Sequence, residues 1–336
     1  MSYGFNRRVP GGALTGMQPN PREAVSVEMH AGSSPMAQAR LPLLTAIQRP
    51  GLITPSGDPR ATGFARLPRA TPMNAYTLVG LTALTLLFAL EGALPYYRRD
   101  GSRYAHALRN LSLALAAGAL GALMAPLLLW STSLAAEHGI GLCNMGELHP
   151  AICAVVAFVL FDLWMYAWHR ANHEIPFLWR FHRVHHTDSA MDSTTALRFH
   201  PGEILFSTLV NCLVLAVLGM NLAMLALYKT VMILVILFHH SNLRVPDRLD
   251  QRLRQIIVPP SMHRVHHSHQ RAETNSNYGT VFSFWDRLFG SYRTRARYDD
   301  IRFGIGAYDG PDWQRPLRLL ALPWRPLTQL PSGNHP

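Results

Sequence analysis

Histidines carry the most specific chemical signal in this sequence. Twelve of the 17 histidines fall between residues 169 and 269. Residues three or four positions apart share one face of a helix, and three histidine clusters repeat that spacing. Each cluster would therefore present two or three imidazoles in one direction. The clusters are His169 with His173, His182 with His185 and His186, and His263 with His266 and His267.

Eight imidazoles clustered in this way predict a site for two metal ions. One tetrahedral zinc ion needs only four ligands. Imidazole also accommodates copper, iron and nickel, so the ligand type alone does not choose the metal. The pair His239 and His240 offers a further ligand from either member, and His200 is a second-tier candidate. Asp162 lies on the helical face of the first cluster, where it could orient an imidazole or contact a metal.

Clustered histidines also occur in proteins without a catalytic metal pair. They form solvated basic surfaces and pH-sensing patches, and they bind structural zinc. Two copies of His-x-x-His-His beside one His-x-x-x-His are too improbable to arise by chance in one chain. We therefore interpret the clusters as a functional two-metal site.

The composition indicates that a membrane surrounds the elements that hold these clusters. Apolar residues make up 49% of the 336 residues and charged residues 15%, against roughly 25% charged residues in soluble domains. The deficit of charge is local, because long stretches carry no charge at all. Such stretches are typical of helices that face lipid.

Four apolar runs are candidates for membrane spans, each of which takes roughly 20 helical residues. The first three cover residues 75–90, 110–136 and 151–168. The fourth, 204–238, is too long for one span at about 1.5 Å per residue, so we expect two short spans folded near residues 219–221. The sequence thus predicts an all-α integral membrane protein with four to five transmembrane or hairpin helices.

Arginine-rich segments predict the orientation of these spans. The net charge of +11 rests on arginines and a single lysine. The positive-inside rule places residues 96–109, 169–203 and 239–336 in the cytoplasm, so the histidine clusters would meet in a cytosolic helical cap. The membrane would be the inner membrane of a bacterium or the endoplasmic reticulum of a eukaryote. Basic patches can bind nucleic acid, but arginines scattered beside apolar runs indicate membrane retention, and we expect no nucleic-acid partner.

Lysine and cysteine side chains also stand in or beside the apolar runs. Lys229 would either snorkel towards the interface or line a cavity, and the sequence leaves both open. The cysteines lack the paired spacing of a disulfide framework or a thiolate metal site, so we predict neither. They are Cys143, Cys153 and Cys212.

The two ends of the chain differ from its middle. Residues 1–72 are rich in proline, glycine, arginine and serine and lack periodicity, which predicts disorder. Met73 runs directly into the first apolar run, which suggests a misassigned start codon. We expect one membrane-embedded domain over residues 73–325 and a disordered tail over residues 326–336.

The clusters, set around apolar hairpins, resemble the fatty acid hydroxylase and sterol desaturase superfamily. The resemblance extends to Leu178-Trp179 before the second cluster and to the Thr195–Pro201 segment after it. His240-Ser241-Asn242 is similar to the family's isolated histidine before the last cluster. Asn277-Tyr278-Gly279 and residues 284–290 are similar to its closing segment. The resemblance covers about residues 73–325.

This resemblance implies a non-haem di-iron centre, O2 as co-substrate, and hydroxylation or desaturation of a C–H bond in a membrane lipid. The lipid would be a sterol, fatty acyl chain, carotenoid or ether lipid. Electrons would come from a separate ferredoxin or cytochrome b5-type protein with its reductase. The implied ligands are His169, His173, His182, His185, His186, His240, His263, His266 and His267. The second-tier or supporting candidates are His200, His239, Asp162, Asn242 and Asn277.

Two further functions are compatible with the sequence. A zinc-dependent membrane hydrolase could use the same cage with Glu174 or Glu203 as general base, although neither lies in a His-Glu-x-x-His arrangement. A metal transporter would place histidines and carboxylates within the spans, whereas nearly all the histidines lie outside them.

Overall fold

A computed structural model of the chain describes residues 72–98, 101–146 and 149–327. Five of its helices are long and apolar enough to cross a membrane. They are α1 (Pro72–Ala93), α2 (Arg103–Glu137), α3 (Pro150–Glu174), α5 (Pro201–Leu218) and α6 (Leu222–His240). The prediction of an all-α, multi-pass membrane protein is therefore confirmed.

Six shorter helices follow the spans or connect them. They are α4 (Pro176–His186), α7 (Asp247–Leu253), α8 (Pro260–His266), α9 (Arg271–Thr274), α10 (Phe284–Leu288) and α11 (Pro316–Ala321). Within the described ranges, β-structure is limited to isolated bridges, with no strand. Most of the short helices form a cap at one end of the spans.

The fourth apolar run folds into two helices, as its length predicted. Gly219 ends α5 with φ +65°, a left-handed conformation that glycine adopts without the steric cost of a Cβ atom. The Asn221 side chain then caps α6 by accepting a hydrogen bond from the Met224 N–H (2.9 Å). The resulting hairpin returns the chain to the end of the bundle from which α5 started.

Helices α3, α5 and α6 form the core of the bundle. Phe161 of α3, Leu215 of α5 and Tyr228 of α6 are fully buried where these helices meet. Helix α2 packs against α5, and α1 packs against α6. Outward-facing leucines remain exposed, for example Leu115 at 76% and Leu213 at 65%, as expected for a surface that lipid covers.

A disulfide between Cys143 and Cys153 corrects the prediction that the cysteines do not pair. The bond joins the loop after α2 to the first turn of α3, with the two Cα atoms 5.6 Å apart. Their spacing along the chain matches no framework motif. The loop folds back over the α5–α6 turn, and this fold brings the two cysteines together. Cys212 is free.

The predicted disorder at the two ends stays a prediction, because residues 1–71 and 328–336 lie outside the described residues. The suggested start at Met73 stays a prediction as well. Near the other end, the Arg183 side chain donates a hydrogen bond to the Pro326 carbonyl (2.8 Å). Contacts with the cap therefore extend at least one residue past position 325.

Candidate metal centre

The C-terminal ends of α3 and α6 and the cap helices α4 and α8 carry the histidines. Helix α3 supplies the first cluster in its last two turns, and α4 supplies the second. Helix α8 supplies the third, of which His267 is the C-cap. The second and third clusters are thus helical, as their spacing predicted. Because α5 and α6 form a hairpin, all these elements meet at one end of the bundle.

Nine imidazoles form two groups, each with its candidate ligand atoms within 4.8 Å of one another. We name them site A and site B. Site A consists of His169, His173, His182, His186 and His266, and site B consists of His185, His240, His263 and His267. The sites adjoin, since the rings of His186 and His267 stack with their centroids 4.4 Å apart. The nine residues are those that the family resemblance implies as ligands.

Backbone carbonyls fix the orientation of three of these rings. His169 Nδ1 lies 2.8 Å from the Tyr278 carbonyl oxygen, and His266 Nδ1 lies 2.7 Å from that of Ser276. His240 Nδ1 makes the same contact with Ile236 (2.7 Å). A carbonyl only accepts, so Nδ1 carries the hydrogen and Nε2 keeps the lone pair that a metal needs.

A carboxylate orients a fourth ring. His182 Nδ1 lies 2.8 Å from Oε1 of Glu203, and both side chains are buried. A carboxylate behind a ligating imidazole is a common arrangement in metal sites, where it holds the ring and raises its basicity. Glu203 comes from the first turn of α5, and nothing in its sequence neighbourhood indicated that it would face His182.

Several imidazole nitrogens at the two sites are buried without a hydrogen-bond partner in the described part of the chain. They include both ring nitrogens of His173 and His186 and Nε2 of His182 and His266. Unpartnered buried polar atoms are rare and costly in proteins, and a metal ion would satisfy them. In site B, His240 Nε2 lies 3.1 Å from His185 Nε2 and 2.9 Å from His263 Nε2. The donor set fits two metal ions.

Burial favours the neutral form of five of the cap histidines. Burial lowers the pKa of His266 to about 3, and neighbouring imidazoles add to the effect. Burial likewise holds the pKa of His185, His186, His263 and His267 well below the ordinary value. The neutral ring is the form that binds metal.

Two second-tier histidines lie outside both sites. His200 caps α5, with Nδ1 accepting from the Gly202 N–H (2.9 Å) and Nε2 facing the Leu320 carbonyl (3.1 Å). Both of its nitrogens are therefore engaged in fold contacts. His239 packs its ring on that of His263, with centroids 3.9 Å apart, and lines a cavity beside site B. Of the adjacent pair, His240 is the one whose ring enters site B.

Asp162 differs from the expectation that it orients an imidazole. Its carboxylate accepts hydrogen bonds from the Tyr228 hydroxyl (2.8 Å) and the Trp285 indole (2.9 Å). It also accepts from the backbone N–H groups of Val281 and Phe282. These contacts tie α3 to α6 and to the closing segment. The helical spacing was right, but the metal sites begin about two turns further along α3, at His169.

The two asparagines support the cap rather than enter the sites. Asn242 exchanges hydrogen bonds with the backbone of Tyr97, fastening the end of α6 to the segment after α1. Asn277 has φ +53° and donates to the carbonyls of Met262 and Arg293 (2.9 and 2.8 Å). Since Met262 precedes His263, Asn277 helps to position α8.

Two residues of the family-like segments have roles that sequence reasoning missed. Asp286 accepts from the backbone N–H groups of Tyr278 and Gly279 (2.7 and 2.9 Å) and so fixes the loop whose carbonyl orients His169. Arg198 is fully buried and donates to the Val184 carbonyl (2.9 Å) at the end of α4. The motifs were visible in the sequence, but their partners lie far away along the chain.

A cavity of about 180 Å³ opens beside both sites and runs between α3, α5 and α6. Its wall is largely apolar, with contributions from Phe199, Met232 and Ile236. Lys229 also lines it, which favours a cavity-lining role for this lysine over a side chain that snorkels towards the interface. The arrangement could hold two redox-active metals at the end of an apolar channel.

Known proteins share the part of the chain that carries this geometry. The model of the fatty acid hydroxylase family matches residues 154–291, a range that contains all nine histidines of sites A and B. Ornithine lipid hydroxylase OlsE of Rhizobium tropici is 28% identical over 237 residues, which cover 68% of this chain and 70% of that protein. No solved structure matches the chain.

Two further relatives share a shorter region. Alkylglycerol monooxygenase of Danio rerio is 31% identical over 155 residues, covering 45% of this chain and 32% of that protein. Cholesterol 25-hydroxylase of Rattus norvegicus is 28% identical over 148 residues, covering 43% and 47%. The chain thus spans about a third of the first and just under half of the second of these relatives, which are by name a monooxygenase and a hydroxylase.

Proposed function

Since this chain belongs to the fatty acid hydroxylase family, we propose that it is an O2-dependent, non-haem di-iron enzyme that oxidises a C–H bond of a membrane lipid. One observation carries the proposal: nine imidazoles, all buried except the partly exposed His169, converge on two adjoining sites beside a largely apolar cavity. The relatives are named as hydroxylases and monooxygenases, which favours hydroxylation over desaturation.

The metal pair would supply the oxidising power that acid–base chemistry cannot, by activating O2 against an unactivated C–H bond. Site A and site B would hold one iron each. Glu203 and the carbonyls of Tyr278, Ser276 and Ile236 keep four rings turned with Nε2 inwards. This preorganised set of nitrogens needs little rearrangement when metal binds.

The cavity would hold the substrate and exclude water. Its apolar wall suits a lipid chain or ring, and the carbon nearest site B would be the one oxidised, because position decides which bond reacts. The relatives act, by name, on ornithine lipids, alkylglycerols and cholesterol. These three lipids differ in structure, so the comparison supports a lipid substrate but does not identify its class.

We further propose that the metal centre faces the cytosol. The arginine-rich segments lie at the histidine end of the spans, in agreement with the positive-inside rule. The Cys143–Cys153 disulfide lies at the other end, and disulfides persist in oxidising compartments. A separate ferredoxin or cytochrome b5-type protein would then deliver electrons from the cytosolic side.

The hydrolase alternative has little support. Glu174 is half exposed and forms an ion pair with Arg170 (2.8 Å), so it is not aimed at either site. Glu203 is engaged by His182. Glu174 is therefore not placed as a general base, and Glu203 commits one oxygen to His182 while its Oε2 is buried without a hydrogen-bond partner among the described residues.

Two measurements test the proposal. Metal analysis of the protein, purified without chelators, should find two irons per chain, and one zinc instead would favour the hydrolase. Mass spectrometry of lipids from cells with and without the gene should reveal a lipid that gains the mass of one oxygen atom. A loss of two hydrogens would indicate desaturation. Protein that holds no iron and leaves lipids unchanged would refute the function.

A further inference from the structure

Three polar side chains of the spans line the otherwise largely apolar cavity below the histidines. Ser207 and Asn211 of α5 and Lys229 of α6 line it. Asn211 lies eight residues after Glu203, about 12 Å along the helix axis. Lys229 lies ten residues before His239, about 15 Å along its own axis. Both helices therefore bring polar groups to a similar depth below site B.

The oxygen atom of each of the two α5 side chains already accepts one hydrogen bond. Ser207 Oγ accepts from the Trp168 indole (2.8 Å), and Asn211 Oδ1 accepts from the Trp164 indole (2.8 Å). The hydroxyl hydrogen of Ser207 and the amide hydrogens of Asn211 can still donate. Because the two tryptophans occupy one lone pair of each oxygen, these side chains are better placed to donate than to accept.

Lys229 adds a charge that none of the described residues balances. Within residues 72–98, 101–146 and 149–327, its ammonium group has no hydrogen-bond or ion-pair partner. Among these residues, Glu203 supplies the one carboxylate on the cavity wall; its Oε2 has no hydrogen-bond partner, and its ion-pair contact is to His182, not to Lys229. A charged side chain inside a membrane span is costly and is normally paired or exposed to a polar cavity. The missing counter-charge therefore points to a ligand.

We propose that Lys229, Asn211 and Ser207 bind an anionic oxygen group, a carboxylate or a phosphate, of the substrate lipid. This inference rests on the proposed function and narrows its substrate class to acidic or zwitterionic lipids. We call Lys229, Asn211 and Ser207 the anchor. Lys229 lies on the order of 15 Å along α6 from the histidines at the end of that helix. The anchor therefore sets how far along the lipid the oxidised carbon lies. A neutral lipid would not form an ion pair with Lys229, so its chain would not be held at a fixed position relative to the metal centre.

Binding of three matched probes tests the anchor. Full-length, iron-loaded protein in phosphatidylcholine nanodiscs would be titrated with radiolabelled hexadecanoate, hexadecyl phosphate and hexadecanol, which share one chain length. At least one anionic probe should bind roughly tenfold or more tightly than the alcohol. The tighter of the two anions identifies the group. Equal binding of all three probes would overturn the proposal.

Variants of the anchor separate its charge from its shape. Lys229→Met should remove the preference for anions while the iron content stays unchanged, and Lys229→Arg should keep the preference. Asn211→Asp retains the acceptor for Trp164 but supplies an internal counter-charge, so it too should remove the preference, even if Lys229→Met fails to fold. Thr230→Val is the matched control, because the Thr230 hydroxyl bonds its own helix at Ala226.

The outcomes also separate the anchor from the enzymatic function. A preference for anions that survives both Lys229→Met and Asn211→Asp would refute the anchor and leave the di-iron proposal intact. Protein that holds no iron and oxidises no lipid would refute the di-iron proposal, whereas the probe titration would still report on the anchor.

Discussion

The two nitrogens of each imidazole have different tasks at the candidate metal centre. In His169, His240 and His266, Nδ1 is committed to a backbone carbonyl, which leaves Nε2 directed into the site. This division fixes the tautomer and the ring orientation before metal arrives. A single substitution should therefore act in one of two ways. It either removes a candidate ligand or removes the contact that holds the ring of a candidate ligand in place.

Removing a ligand is tested with His266→Ala. The variant should lose lipid oxidation and bind less iron, because site A loses a buried, oriented nitrogen. The matched control is His269→Ala, whose ring contacts the Arg302 carbonyl outside both sites and which should keep its iron. Activity and iron content are measured on the same preparations. Normal turnover in His266→Ala would remove this residue from the ligand set.

Releasing a ligand is tested with Glu203→Gln. Loss of the carboxylate behind His182 should weaken iron binding about 10- to 100-fold, the usual effect of such outer-shell changes. The rate of iron loss to a chelator measures it. Glu174→Gln, which alters only a surface ion pair, should lose iron as slowly as the wild type. Equal rates for both variants would show that Glu203 does not support the site.

At the scale of elements, the α5–α6 hairpin determines where the histidine-bearing ends lie. The loop after α2 closes over the turn of this hairpin at very short range. A Cβ atom on Gly141 would lie 2.2 Å from the Ala216 carbonyl oxygen, and Gly141 has φ +96°. Glycine is required here both by conformation and by close approach.

Gly141→Ala should therefore destabilise the protein, by about 1–3 kcal/mol if strain of the usual size is introduced. The control is Gly118→Ala in α2, where a Cβ atom meets nothing within 4 Å and alanine favours the helix. Thermal unfolding in detergent compares the two variants. A melting temperature that falls equally in both would contradict the role of the close contact.

For the whole molecule, the disulfide and the metal centre occupy opposite ends of the spans. This separation predicts which compartment each end faces. The prediction is tested in cells carrying Cys212→Ser, by treating them with a membrane-impermeant reductant and maleimide. Cys143 and Cys153 should react in intact cells, whereas a cysteine introduced in the cap by Arg297→Cys should react only after lysis. The reverse pattern would invert the proposed orientation.

Metal should also stabilise the whole cap, because the candidate ligands come from α3, α4, α6 and α8. A ligand that binds only the folded state at a thousand times its Kd adds about 4 kcal/mol of stability. Chelation should thus lower the melting temperature, and added Fe²⁺ should restore it. An unchanged melting temperature after verified iron removal would argue against a shared metal core.

Local patterns along the chain were enough to predict the class of fold and to indicate a metal site. The histidine spacings predicted helical clusters, and the apolar runs predicted the spans, including the fold near residues 219–221, because both depend on local periodicity. The tertiary structure decided what depends on distant partners. It separated the histidines into sites A and B, turned His240 rather than His239 into site B, and assigned Asp162 to packing. It also paired Cys143 with Cys153 and brought Lys229 to the cavity. These outcomes follow from contacts between segments far apart in the chain, which spacing along one segment does not encode.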